Sequence, residues 1–146
     1  MRFINSVIRE DIAREFPGLN IEFSENDGAL DAVFRNDAGC DLFLHFGERL
    51  TLCFDKWRSD YLLTDDEYER LLWDIRDIVH KNAYAVSVMV GSNLYLSYLT
   101  RVEIGNIDDF MDDDPVGNAG LRRTGAIISC VCFDDSRTKR FVLEKE

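Results

Sequence analysis

The chain has 146 residues, 46% of them apolar and 12% aromatic, with 28 acidic against 17 basic side chains and a formal net charge of −11. That length is expected to make one domain, 1–146, able to bury roughly 70% of its unfolded surface, and the aromatic content excludes a disordered acidic tail. The negative surplus argues against direct nucleic-acid binding, which needs Lys and Arg on phosphates, and against docking on an anionic bilayer, and it leaves a basic protein partner open.

The first eleven residues mix apolar and charged side chains, with no apolar core or small-residue cleavage site of a signal peptide. No run approaches the roughly 18 apolar residues of a spanning helix. The expectation is a soluble, cytoplasmic chain. A helix is predicted from about Phe3 to Phe16, because Ile4, Val7, Ile8, Ile12 and Phe16 share one face while Arg9, Glu10, Arg14 and Glu15 face away. Pro17-Gly18 ends it.

Four strand-like runs follow. Ile21 to Ser24 is short; Leu30, Ala32 and Phe34 alternate with Asp31, Val33 and Arg35 up to the turn signal Asn36-Asp37-Ala38-Gly39. Leu42, Leu44 and Phe46 then alternate with Asp41, Phe43 and His45, and after Gly47-Glu48 so do Leu50, Leu52 and Phe54 with Thr51, Cys53 and Asp55. The pattern is that of an antiparallel meander with one apolar face. The segment Phe54 to Tyr61 reads as a connection carrying Trp57 and Tyr61 among Lys56, Arg58 and Asp60. Aromatics beside Arg in a connection have the composition of an interface hot spot; the alternative is a satellite core under the next helix.

That helix is the clearest element. Thr64 and Glu67 form a capping-box pattern, and Asp65 and Asp66 suit the positive end of the dipole as His80 and Lys81 suit the negative end. Tyr68, Leu71, Leu72, Ile75, Ile78 and Val79 make one stripe. A hairpin of Tyr84–Val90 and Leu94–Thr100 turns at Gly91-Ser92-Asn93, and Gly105 to Gly120 reads as a loop or single helical turn. Gly125 to Phe133 is apolar on both faces, as a central strand is, and Phe141-Val142-Leu143 adds a short last strand. The sum is an α+β domain: an antiparallel or mixed sheet of six or seven strands with two helices packed on it.

Few groups invite catalysis. His45 and His80 fall in different elements; His45 can face Cys53 across the Gly47 hairpin, whereas His80 suits the end of a helix. No nucleophile elbow, phosphate loop, Walker or H-E-x-x-H pattern occurs. Cys130 and Cys132, two apart, read with Cys40 and Cys53 as buried thiols rather than a metal or redox pair. The run Asn106 to Asp114 holds five aspartates, but Phe110 and Asp113, or Phe110 and Met111, fall where a calcium loop needs an oxygen ligand and a glycine. No metal, cofactor or catalytic residue is therefore assigned. The same run can serve as a solvated face or as a surface complementary to a basic groove of the kind nucleases present.

The run Leu50-Thr51-Leu52-Cys53-Phe54, the segment Trp57-Arg58-Ser59-Asp60-Tyr61, the helix from Asp65 to Asn82 and the strand Ala85-Val86-Ser87-Val88 together resemble small immunity proteins of bacterial polymorphic-toxin and contact-dependent growth-inhibition systems. The resemblance covers about residues 40–100. It implies a non-enzymatic, cytoplasmic inhibitor that binds a cognate toxin domain. On that reading Asp108, Asp109, Asp112, Asp113 and Asp114 supply a negative surface, Trp57, Tyr61 and Phe110 supply anchors, and Arg58 and Asp60 lie at the rim. The alternatives are a chaperone or adaptor for a secreted effector, and a small metal-dependent enzyme or binding protein using His45 and Cys53. Oligomeric state is left open.

Overall fold

Strict alternation between Ile21 and Tyr61 builds a five-stranded antiparallel meander in the computed structural model, which describes residues 3–113 and 115–144. Its strands are β1 (Ile21–Asn26), β2 (Ala29–Phe34), β3 (Leu42–Phe46), β4 (Leu50–Phe54) and β5 (Trp57–Tyr61), paired in sequence order. Each turn has a local cause. Asp27 and Gly28 both take positive φ, 54° and 83°, as a two-residue type I′ hairpin requires, so β1 reaches Asn26 rather than stopping at Ser24. Asp55, at φ 53°, serves the turn that sets Phe54 opposite Trp57.

One face of this sheet is buried: Leu30, Phe34, Leu42, Leu44, Leu50, Leu52, Phe54 and Tyr61 are all covered. Helix α1 (Asn5–Glu15) lies on it through Ile8 and Ile12, and Phe16 just after the helix meets Phe34 edge to face at 5.8 Å. Helix α2 (Asp65–Val79) meets β5, where the Tyr61 hydroxyl donates to Asp74 at 2.6 Å and Arg70 stacks on the Tyr61 ring. The two helices are tied by the Tyr68 hydroxyl, which donates to the buried Asp11 carboxylate at 2.9 Å; Arg14 pairs with the other oxygen of that carboxylate. Half of the expected capping box forms. The Glu67 N–H donates to Thr64 Oγ1, but the Glu67 carboxylate turns to Arg70 and the Thr64 N–H to the Leu62 carbonyl.

The chain divides into two compact units, Met1–Arg76 and Asp77–Glu146. In the second, β6 (Tyr84–Val90), β7 (Asn93–Thr100), β8 (Ile127–Val131) and β9 (Lys139–Val142) form a sheet in the order β7-β6-β8-β9. The fold is α+β as expected, but the single sheet of six or seven strands is corrected to two antiparallel sheets of five and four. In the second sheet β6 is hydrogen-bonded on one side to β7 and on the other to β8, about forty residues on, and among the described residues no strand of the meander pairs with any of the four. As expected, β8 is central, between β6 and β9.

The stretch read as a loop or single turn is largely helical: α3 (Ile107–Asp113), α4 (Pro115–Asn118) and a 3₁₀ helix, Ala119–Thr124. Phe110, Met111 and Leu121 cover Tyr84, Val86, Val88, Ile128 and Cys130 of the sheet. No helix among the described residues is long and apolar enough to cross a membrane.

A capping box absent from the sequence reading starts α3. Asn106 Oδ1 accepts from the Asp109 N–H at 3.0 Å, and Asp109 Oδ2 accepts from the N–H groups of Asn106 and Gly105 at 3.2 and 2.8 Å. Replacing Asn106 with alanine is expected to cost about 1 kcal/mol, read as a lower urea midpoint with unchanged slope.

Candidate functional site

Two surfaces, one on each unit, gather exposed polar side chains. In the first, the open face of the meander carries a polar row across all five strands, because the antiparallel register sets Ser24, Asp31, His45, Thr51 and Asp60 side by side. Within it His45 Nδ1 donates to Asp31 Oδ1 at 2.6 Å and Thr51 Oγ1 to Asp60 Oδ1 at 2.7 Å. The adjacent row is Glu22, Val33, Phe43, Cys53 and Arg58, with Phe43 exposed.

His45 therefore pairs with Asp31, while Cys53 stands opposite Phe43 and Arg58. Burial pushes the Cys53 thiol up, the wrong direction for a nucleophilic thiolate. Cys130 and Cys132, buried, are pushed up to about 11 by the same cause. Among the described residues no three of His, Cys, Asp and Glu converge as ligands for a metal ion.

In the second unit a cavity of about 380 Å³ opens between the end of β7 and α3. Tyr98, Thr100 and Val102 form one wall, Ile104 and Phe110 the floor, and Glu103, Asp109 and Asp112 a carboxylate rim. All three carboxylates are on exposed residues. Asp109 is held by the capping box just described, so its position is fixed by the helix start, whereas Glu103 and Asp112 face solvent without that constraint. A concave, partly apolar surface rimmed by carboxylates has the chemistry to take an Arg or Lys side chain, stem inside and charge at the rim.

The residues expected to bind a partner divide by strand parity and burial. Trp57 and Tyr61 are corrected from anchors to core: alternation in β5 sends both to the covered face, at 9% and 0% exposure, and Tyr61 spends its hydroxyl on Asp74. Phe110 is likewise corrected; at 2% exposure it is a core side chain beneath the cavity. Arg58 and Asp60 point the other way, onto the open face, where Arg58 contacts the Asp60 carboxylate. Asp108, Asp109 and Asp112 stand exposed on α3. Asp113 lies at the end of α3, and Asp114 lies outside the described residues. Arg58 and Asp60 lie in the first unit and the acidic group in the second.

Four carboxylates outside the rim are held below their usual range by hydrogen bonds and ion pairs. Thr51 holds Asp60 below the usual range, the Asn36 N–H does so for Asp41, Arg70 for Glu67 and Ser136 for Asp134. A carboxyl whose pKa is depressed by folding contributes stability above its unfolded value and loses it as pH falls through the folded one. Stability is therefore expected to hold near neutrality and to drop as pH is taken from about 5 to about 3, measured as the urea midpoint at each pH. A midpoint that rises over that range would contradict these pairings.

Comparison with protein-family models, with curated proteins and with solved structures finds no match to this chain.

Proposed function

We propose that this chain is a cytoplasmic immunity protein, a non-enzymatic inhibitor that binds a folded, basic toxin domain and blocks it. The observation that carries the reading is the cavity of the second unit, where Glu103, Asp109 and Asp112 rim an apolar floor on a chain of net charge −11. Such a surface steers a basic partner towards it and seats a cationic side chain, without requiring any reacting group of its own. The likeness of residues 40–100 to immunity proteins supports the toxin as the partner's class. With Trp57, Tyr61 and Phe110 committed to the core, recognition falls to the carboxylates and to Tyr98 and Thr100 in the cavity wall.

Co-purification from the native host with the tagged chain as bait tests this reading. A single stoichiometric partner with a folded basic domain is expected. Retention of an unfolded or N-terminal segment of a client would indicate an effector chaperone instead, and retention of a metal or small molecule alone would contradict the inhibitor.

A further inference from the structure

Four strands end the two sheets, and three of them carry charge. β1 has Glu22 and Glu25, β5 has Arg58 and Asp60, and β9 is four residues long with Lys139 and Arg140. These are the devices that keep a strand edge from pairing with another chain. β7 has none of them. Its eight residues, Asn93-Leu94-Tyr95-Leu96-Ser97-Tyr98-Leu99-Thr100, hold no charge and no proline, and it is the longest strand described. Leu94, Tyr95 and Leu96 are exposed at 47%, 61% and 40%. Among the described strands β7 is hydrogen-bonded to β6 alone, so it is an edge strand, the position at which backbone groups can pair with an added strand.

The C-terminal end of β7 adjoins the acidic cavity. Tyr98 and Thr100 belong to both β7 and the cavity wall, so the C-terminal end of β7 borders the cavity that Glu103 and Asp112 line. We infer that β7 is a docking edge for an extended segment of the partner protein, which adds to the sheet as a fifth strand and places an Arg or Lys in the cavity. Backbone pairing supplies affinity, and the cavity supplies the selection for a basic residue. Charge decides against a second copy as occupant: each chain brings a net −11 and the same carboxylates, and an uncharged β7 offers them nothing basic. The inference rests on the proposal of a basic protein partner and specifies the segment it uses.

The test is a titration of ¹⁵N-labelled protein with an acetylated, amidated peptide of eight alternating threonines and valines ended on both sides by arginine. Amide shifts are expected along residues 93–100 and at Glu103, Asp109 and Asp112. The same peptide ended in glutamate should bind at least about 10-fold more weakly, and the variant Leu94→Lys/Leu96→Lys should not respond. Asp112→Lys, at an exposed helix position, should keep the β7 shifts while losing the preference for arginine, which guards against a β7 variant that fails to fold. Unmoved β7 amides at millimolar peptide, or equal binding of the glutamate peptide, would overturn the inference. So would β7 shifts that depend on protein concentration without peptide, which assign the edge to a second copy. A basic partner captured equally by wild type and Leu94→Lys/Leu96→Lys would contradict strand addition alone. Peptide binding at β7 with no partner captured would contradict the toxin reading alone.

Discussion

Replacing Phe110 by alanine is expected to lower stability by about 3–5 kcal/mol, the range for truncating a buried Phe where the surroundings cannot collapse. The side chain is 2% exposed and packs among Tyr84, Val86, Val88, Met111 and Leu121, while its backbone carbonyl accepts from the buried Asn118 amide at 3.0 Å. Truncation leaves a void at the junction of α3 and the sheet, and a few kcal/mol is a large share of what a domain of this size holds in reserve. Phe110→Leu keeps most of the volume and is expected to cost less than about 1.5 kcal/mol. Urea unfolding of the three proteins checks both figures. A loss below about 1 kcal/mol for the alanine variant would mean that Phe110 is a surface anchor after all, and that the cavity floor is built differently.

The second large effect concerns binding. Glu103→Lys/Asp112→Lys is expected to weaken association with the captured basic partner by about 100-fold at low salt, through lost attraction and new like-charge repulsion at the rim. Much of the loss should appear in the association rate, and it should shrink as ionic strength rises and screening shortens. Both residues are exposed, and the capping carboxylate is that of Asp109, which is left in place. Stopped-flow association at two salt concentrations reads the effect, with the unfolding midpoint as the control. Unchanged association of a folded variant would remove the carboxylate rim from the interface.

The same residues show how far the chain could be read before its fold was known. Alternation from Leu30 to Phe54 announced the meander because one face is buried, and period-2 burial writes itself into the sequence. The same rule applied to Trp57-Arg58-Ser59-Asp60-Tyr61 separates two core aromatics from two exposed charges. That signal was hidden by the turn before it, where Asp55 takes a positive φ without a following glycine. Asp27-Gly28, the usual sign of a tight hairpin, was present and marked the true end of β1. In the acidic run, five aspartates argue for a loop on propensity alone. Burial of Phe110 and Met111 and the Asn106–Asp109 capping box override it, and only the Asn-x-x-Asp spacing was visible locally. The split into two sheets was not legible, since it depends on β6 choosing β8 across some forty residues rather than a nearer strand. Nor was the cavity, whose rim combines Glu103, next to the hairpin, with two residues of α3.

Inhibition itself is the most direct measure of the account. The captured partner's folded domain, assayed for its toxic activity while the purified chain is titrated in, should lose that activity in proportion and reach the baseline at one equivalent. The Glu103→Lys/Asp112→Lys variant should need a large excess to do the same. Full activity in the presence of saturating wild-type chain would contradict a blocking inhibitor, whatever the two proteins' affinity.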